Sequence, residues 1–271
     1  MLVIQQIVNG LMLGGVYVMV AVAFTLIIGM LNFLNFTIPA LFMFAAVLMY
    51  ATMMGQLPFG NDLILSVFGT EYRWIAGIIV ALVVIALVSL VIERFTYRYM
   101  KAKYGDATEH ALPLVSSLGF LIIFEHLVVS TWGSDPLTAT SPFGQGTFSI
   151  DTIIFSVPQI VSLVLSLVVV VMLSVMLKAT KLGRALRAIA ERPDTAILMG
   201  VEVGRIVPVV YVITGLLCAV SGILFTINYA TVDAYVGDTV ATVAIAGMVL
   251  GGLGNVWGAI IGGLFIGMLE V

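Results

Sequence analysis

Charge is what this sequence has least of. Of its 271 residues 9% are Asp, Glu, Lys or Arg and 62% are hydrophobic, whereas ordinary soluble domains are roughly 45–50% apolar and about 25% charged. So little charge cannot cover a water-facing surface, which excludes a soluble domain and points to a polytopic membrane protein. No charged residue precedes Asp62. The basic n-region of a signal peptide is therefore missing, and the apolar run from Leu2 to Gly29 is too long for one, so it reads as a retained span. A single cysteine, Cys218, excludes an intrachain disulfide, and the only histidines, His110 and His126, make no Cys/His metal cluster. No GxxxxGK[ST] loop occurs, which excludes ATP binding of the P-loop kind by this chain. A length of 271 residues allows about seven or eight membrane segments and no separate soluble catalytic domain. The expected fold is all-α: one bundle over 1–271, with some segments short or discontinuous.

The positive charges present are gathered. Spans are expected at about Val3–Gly29, Pro39–Met54, Trp74–Ile92, Leu112–Thr131, Ile153–Leu177 and Ile206–Ala230. Ten of the eleven Lys and Arg residues follow the third and fifth spans, so by the positive-inside rule 94–110 and 178–206 are cytoplasmic. The alternate loops hold Asp62, Glu71, Asp135, Asp151, Asp233 and Asp238 against Arg73 alone. Within Lys178–Pro208, Leu182, Ala185, Leu186 and Ile189 recur at i, i+3, i+4 and i+7, an apolar stripe, with Lys181, Arg184, Arg187 and Arg192 mostly off that face. That helix stops at Pro193; a second short helix starts there, with Asp194 suited to its positive end, and ends at Gly200. Two readings stand: a loop that only fixes orientation, or a docking surface for a soluble partner.

The C-terminal stretch differs in kind. Ala241–Leu253 has 13 residues, about 20 Å of helix against a hydrocarbon core of about 30 Å, before the turn-like Gly254–Gly258. Such a turn lies inside the membrane unless its helix starts outside. The second span is also short and follows the polar, kinked Asn32–Pro39. Interrupted segments of this kind point to a translocation path, which makes Asn32, Asn35, Thr37, Asn255 and Trp257 candidate pathway residues; the plainer reading of the asparagines is interhelical glue. Gly247, Gly251, Gly254, Gly258 and Gly262 fall into sets spaced by four, as do Gly263 and Gly267, a pattern that lets helix backbones approach closely in lipid. Glu125 and His126 lie in the fourth span, as a proton or substrate site or as groups bonded to a neighbouring helix or hydrated near the boundary.

Three blocks resemble the permease subunits of branched-chain amino acid ABC importers, the LivH/LivM type. They are Asn9-Gly10-Leu11 with Gly14, Tyr17, Gly29 and Asn35-Phe36; Leu182-Gly183-Arg184-Ala185-Leu186-Arg187-Ala188 with Ala196 and Gly200; and Gly251-Gly252-Leu253-Gly254 through Gly258-Ala259 to Gly262-Gly263. Thr37-Ile38-Pro39, Arg192 and Trp257 depart from the usual residues. The resemblance implies an importer for branched-chain or other hydrophobic amino acids in a bacterial inner membrane, and a membrane helix that continues beyond Val271. It implies a second permease subunit, two cytoplasmic ATPases carrying ATP and Mg, a periplasmic binding protein, and no cofactor in this chain. Lys178–Pro208 then resembles a coupling loop, with Gly183, Arg184, Arg187, Ala196 and Gly200 at the ATPase contact. Alternatives are an importer permease for urea or short-chain amides, or a secondary transporter or channel.

Overall fold

A computed structural model describes residues 2–58, 72–99, 111–138, 147–150, 153–229 and 231–270. Among the described residues are ten α-helices: α1 (Leu2–Leu31), α2 (Thr37–Met54), α3 (Arg73–Glu93), α4 (Ala111–Trp132), α5 (Val157–Ala179), α6 (Lys181–Glu191), α7 (Pro193–Leu198), α8 (Val203–Tyr229), α9 (Val236–Gly251) and α10 (Val256–Glu270). Six are long and apolar enough to cross a membrane, and α9 and α10 are shorter apolar helices. Lys101, Lys103, Asp62, Glu71 and Asp151 lie outside the described residues.

Burial divides the helices by their sequence. The apolar surface of α2 runs all round, and residues Thr37–Thr52 are all buried, as expected for a helix at the centre of a bundle. Peripheral α3 and α5 show the reverse of a soluble amphipathic pattern. On α5 the inward stripe is Ser162, Ser166, Val170, Leu173 and Ser174, while Val164, Leu167, Val168 and Met172 face outward. Small and hydroxylated residues turned in and large aliphatics turned out suit a lipid surround, where packing and hydrogen bonds rather than hydrophobicity hold helices together.

The glycine spacing fixes the closest contacts. Helices α9 and α10 form an antiparallel hairpin in which a Cβ on Gly247 would stand 3.0 Å from the Gly263 Cα. Gly251 and Gly258 meet backbone to backbone, as do Gly247 and Gly262. A second run joins α10 to α1: a Cβ on Gly10 would lie 2.7 Å from the Met268 Cα, and one on Gly263 3.0 Å from the Val18 Cα. Gly254 lies in the turn at φ +82°, with Gly252 at φ +92°, and a Cβ on Gly29 of α1 would stand 3.3 Å from the Gly254 Cα.

Three boundaries differ from the sequence expectation. The second span begins at Thr37, since Pro39 falls in the first turn, where a missing N–H costs nothing. Residues Ile153–Ser156 are a strand paired with Thr147–Ile150, and α5 starts only at Val157. The Ser156 N–H donates to the Gln159 side-chain oxygen at 3.2 Å, which fixes that start. Helix α9 starts at Val236, five residues before the expected Ala241, and Gly237 in its first turn lets it lie close to the Pro39 carbonyl of α2. It therefore delivers the Gly252–Asn255 turn to the same end of the bundle as the basic helices. The turn is exposed there rather than enclosed among helices.

Candidate functional site

The basic end carries a built helix pair. Helix α6 begins at Thr180, whose Oγ1 accepts from the Gly183 N–H at 3.2 Å, a side-chain N-cap. Leu186 and Ile189 are buried, Leu182 and Ala185 half-buried, and Lys181, Arg184 and Arg187 exposed, as the stripe predicts. Helix α7 begins with Pro193 and ends in a Schellman motif: the Gly200 N–H donates to the Ile197 carbonyl and the Val201 N–H to the Ala196 carbonyl, both at 3.0 Å. Gly200 sits at φ +83°, the left-handed cap expected of it.

Two of the five residues expected at a partner contact point inward. Gly183 is buried, and a Cβ there would fall on the Leu177 carbonyl, so glycine allows the sharp corner between α5 and α6. Ala196 is buried as well. These shape the pair, and Arg184 and Arg187 remain on its surface. What the sequence reading missed is the tip of α7, where Leu198 is 86% and Met199 81% exposed beside the basic rim. The only signal was two large apolar residues falling between the stripe and the terminating glycine.

The candidate pathway residues separate into two places. Asn32, at φ 53°, is the left-handed cap of α1, its N–H donating to the Ile28 carbonyl at 2.9 Å. Asn35 and Thr37 are buried in the break between α1 and α2. The Asn35 Oδ1 accepts from the Thr37 N–H at 3.0 Å and the Thr37 hydroxyl at 2.7 Å, and its Nδ2 donates to the Tyr211 hydroxyl at 3.3 Å. The Phe36 N–H donates to the Ser117 Oγ at 3.1 Å. The break is thus a braced corner whose exposed backbone donors find side chains.

Asn255 and Trp257 lie elsewhere, under the basic helices. Lys178 Nζ stands 4.9 Å from the centre of the Trp257 ring, a cation–π contact, and the Asn255 Oδ1 accepts from the Trp257 N–H at 3.1 Å. A cavity of about 190 Å³ joins Trp257 and Gly254 to Gly29, Lys178, Leu186 and Arg187. The glycine turn therefore belongs with the helix pair, and the Asn35 break with α8.

At the opposite end the structure shows a polar cavity that no residue spacing announces. It encloses about 240 Å³ among Asn9, Met12, Leu13, Gln159, Asn228 and Tyr229. The Asn228 Oδ1 is buried there with no hydrogen-bond partner among the described residues. Three amides and a phenol offer both donors and acceptors to a neutral or zwitterionic solute. Glu125 of α4 is half-buried with Asp238 of α9 as its electrostatic neighbour; His126 is exposed. Among the described residues no group of three His, Cys, Asp or Glu side chains is placed to hold a metal.

Comparison with known proteins agrees with this architecture. Over 98% of its length the chain is 27% identical to the high-affinity branched-chain amino acid transport system permease LivH of Salmonella typhimurium, covering 84% of that protein. Identity and coverage are the same for LivH of Escherichia coli, and BraD of Pseudomonas aeruginosa is also 27% identical, with 85% covered. A ribose import permease of Bacillus subtilis is 30% identical over 58% of the chain and half its own length. No solved structure matches. Residues 6–271 match the family described as the permease component of the branched-chain amino acid transport system, and the chain, a multi-pass membrane protein, belongs to that family.

Proposed function

We propose that this chain is one of two permease subunits of an ATP-driven importer for branched-chain or other hydrophobic amino acids, working with two cytoplasmic ATPases that hold ATP and Mg and with a periplasmic binding protein. The observation that carries the reading is the α6–α7 pair, a capped, rigid projection with a basic rim around an exposed apolar tip, Leu198 and Met199. An apolar tip left in water has no value to an orientation loop; it suits insertion into a groove on a soluble partner, with Arg184 and Arg187 bonding acidic or carbonyl groups around it. The basic rim faces the cytoplasm by the positive-inside rule.

Substrate handed over by the binding protein enters at the opposite end, past the cavity of Asn9, Gln159, Asn228 and Tyr229, whose amide and phenol groups can donate to and accept from a zwitterion. It passes the corner at Asn32, Asn35 and Thr37. The exposed glycine turn with Asn255 and Trp257, which shares a cavity with Lys178 and Arg187, follows the motion of the helix pair.

The test is co-purification and transport with two variants, Arg187→Glu and Leu198→Asp. Both residues are exposed, so the chain should reach the membrane in parental amounts while ATPase capture and uptake fall together. A loop that only sets orientation would tolerate either change, since the other basic residues still hold it inside. Unchanged uptake, with no ATPase captured by the parental chain, would overturn the reading in favour of a secondary transporter.

A further inference from the structure

Helix α8 contains a proline, Pro208, in its second turn. Proline has no N–H, so the carbonyl four residues earlier, that of Gly204, has lost its intrahelical donor. The structure fills the vacancy from a residue 106 positions away: Arg98 Nη2 donates to the Gly204 oxygen at 2.9 Å. Arg98 lies in the other basic segment, at the close of a π-helical turn, Arg94–Arg98, that extends α3. Turns of this kind are uncommon and concentrate at functional positions.

The same guanidinium lies 3.9 Å, from its Nε, from the carboxylate of Glu93, whose residue is only 4% exposed. Glu93 and Tyr97 are in turn electrostatic neighbours of Tyr211 on α8, and the Tyr211 hydroxyl accepts from Asn35 in the α1–α2 corner. Polar groups of α3 and α8 therefore lie in series between the start of α8 and that corner, the Glu93–Tyr211 step being electrostatic rather than a hydrogen bond. The helix pair is tied to the beginning of this series: four residues separate Leu198, the end of α7, from Val203, the start of α8. Glu202 and Arg205 pair across that start at 2.7 Å. Beside the joint a cavity of about 310 Å³, lined by Leu90, Val91, Glu93, Arg94, Arg98 and Pro208, leaves room for it to shift.

We infer that Arg98, held by Glu93 and aimed at the carbonyl that Pro208 releases, is a positioning residue that transmits movement of the α6–α7 pair to α3 and to the Asn35 corner. This inference rests on the importer reading above. Proline at 208 is what makes the joint possible, because a carbonyl bonded within its own helix would offer a partner on α3 much less.

The experiment uses the complete transporter reconstituted in vesicles and reads uptake and ATP hydrolysis in the same preparation, as substrate moved per ATP. Arg98→Ala should lower that ratio by about tenfold, the weight of one charge-assisted hydrogen bond in an equilibrium, while ATP hydrolysis continues. Arg98→Lys, which keeps one charged donor, should recover part of it. The decisive variant is Arg98→Ala with Pro208→Ala. The restored N–H satisfies Gly204 within α8, so protein yield and stability should return to the parental level while the ratio stays low. If the double variant regains the parental ratio, Arg98 only satisfies an orphan carbonyl and the inference is wrong. A parental ratio in Arg98→Ala alone would also overturn it, while ATPase capture by the parental chain would leave the importer reading standing. Failure of the parental chain to capture an ATPase would remove both.

Discussion

Replacing Gly262 by alanine isolates the packing of the C-terminal hairpin. A Cβ there would fall on the Gly247 carbonyl oxygen and lie 3.0 Å from both the Gly247 carbonyl carbon and the Gly251 nitrogen. All three are backbone atoms, so no side chain can turn aside, and ordinary contact at about 3.5–4.0 Å with the carbonyl oxygen requires α9 and α10 to part there by roughly 1.5–2 Å. A gap of even about 0.5–1 Å forfeits a quarter to a half of each atomic contact it opens, so the cost falls at the upper end of the roughly 1–3 kcal/mol typical of overpacking. Alanine returns about 1 kcal/mol in helix propensity, which leaves a net loss of about 2 kcal/mol. Gly119 of α4 is the control, since nothing lies within 4 Å of where its Cβ would stand; Gly119→Ala should gain up to about 1 kcal/mol. The assay is thermal unfolding in detergent, read by the reactivity of Cys218, the single cysteine and wholly buried. At roughly 2–4 °C per kcal/mol, Gly262→Ala should lower the midpoint by several degrees while Gly119→Ala raises it. Equal shifts of the same sign in the two variants would refute the argument that backbone contact, rather than helix propensity, governs these glycines.

Two other outcomes are expected. Gly200→Val places a β-branched residue at φ +83° with open space around it, so the cost is backbone strain of about 1 kcal/mol or more. The end of α7 should loosen and uptake fall at unchanged membrane levels, whereas Gly200→Asn, which tolerates that conformation, should transport; equal activity of the two would show that the cap is dispensable. In a Cys218→Ser background, a cysteine at Glu191 should resist an impermeant thiol reagent in intact cells and one at Thr138 should react, and the opposite pattern would invert the membrane orientation assigned here.

The class of protein and its basic helix pair were legible in the sequence because both depend on short-range signals. Mean composition set the solvent, the spacing of Leu182, Ala185, Leu186 and Ile189 set one helix face, and Pro193 and Gly200 set its punctuation. Glycines at intervals of four announced close helix contact, without saying with what. Tertiary structure decided the partners: Gly10 against Met268, Gly263 against Val18, and Arg98 against Gly204. It also separated two groups that polarity alone had put together, setting Asn35 and Thr37 against Tyr211 and Asn255 and Trp257 beneath Lys178. The reason is physical. Periodicity records which face of a helix is apolar, but in lipid the outward face is apolar too, so only the fit of backbones brought from distant parts of the chain determines which small or polar residues meet.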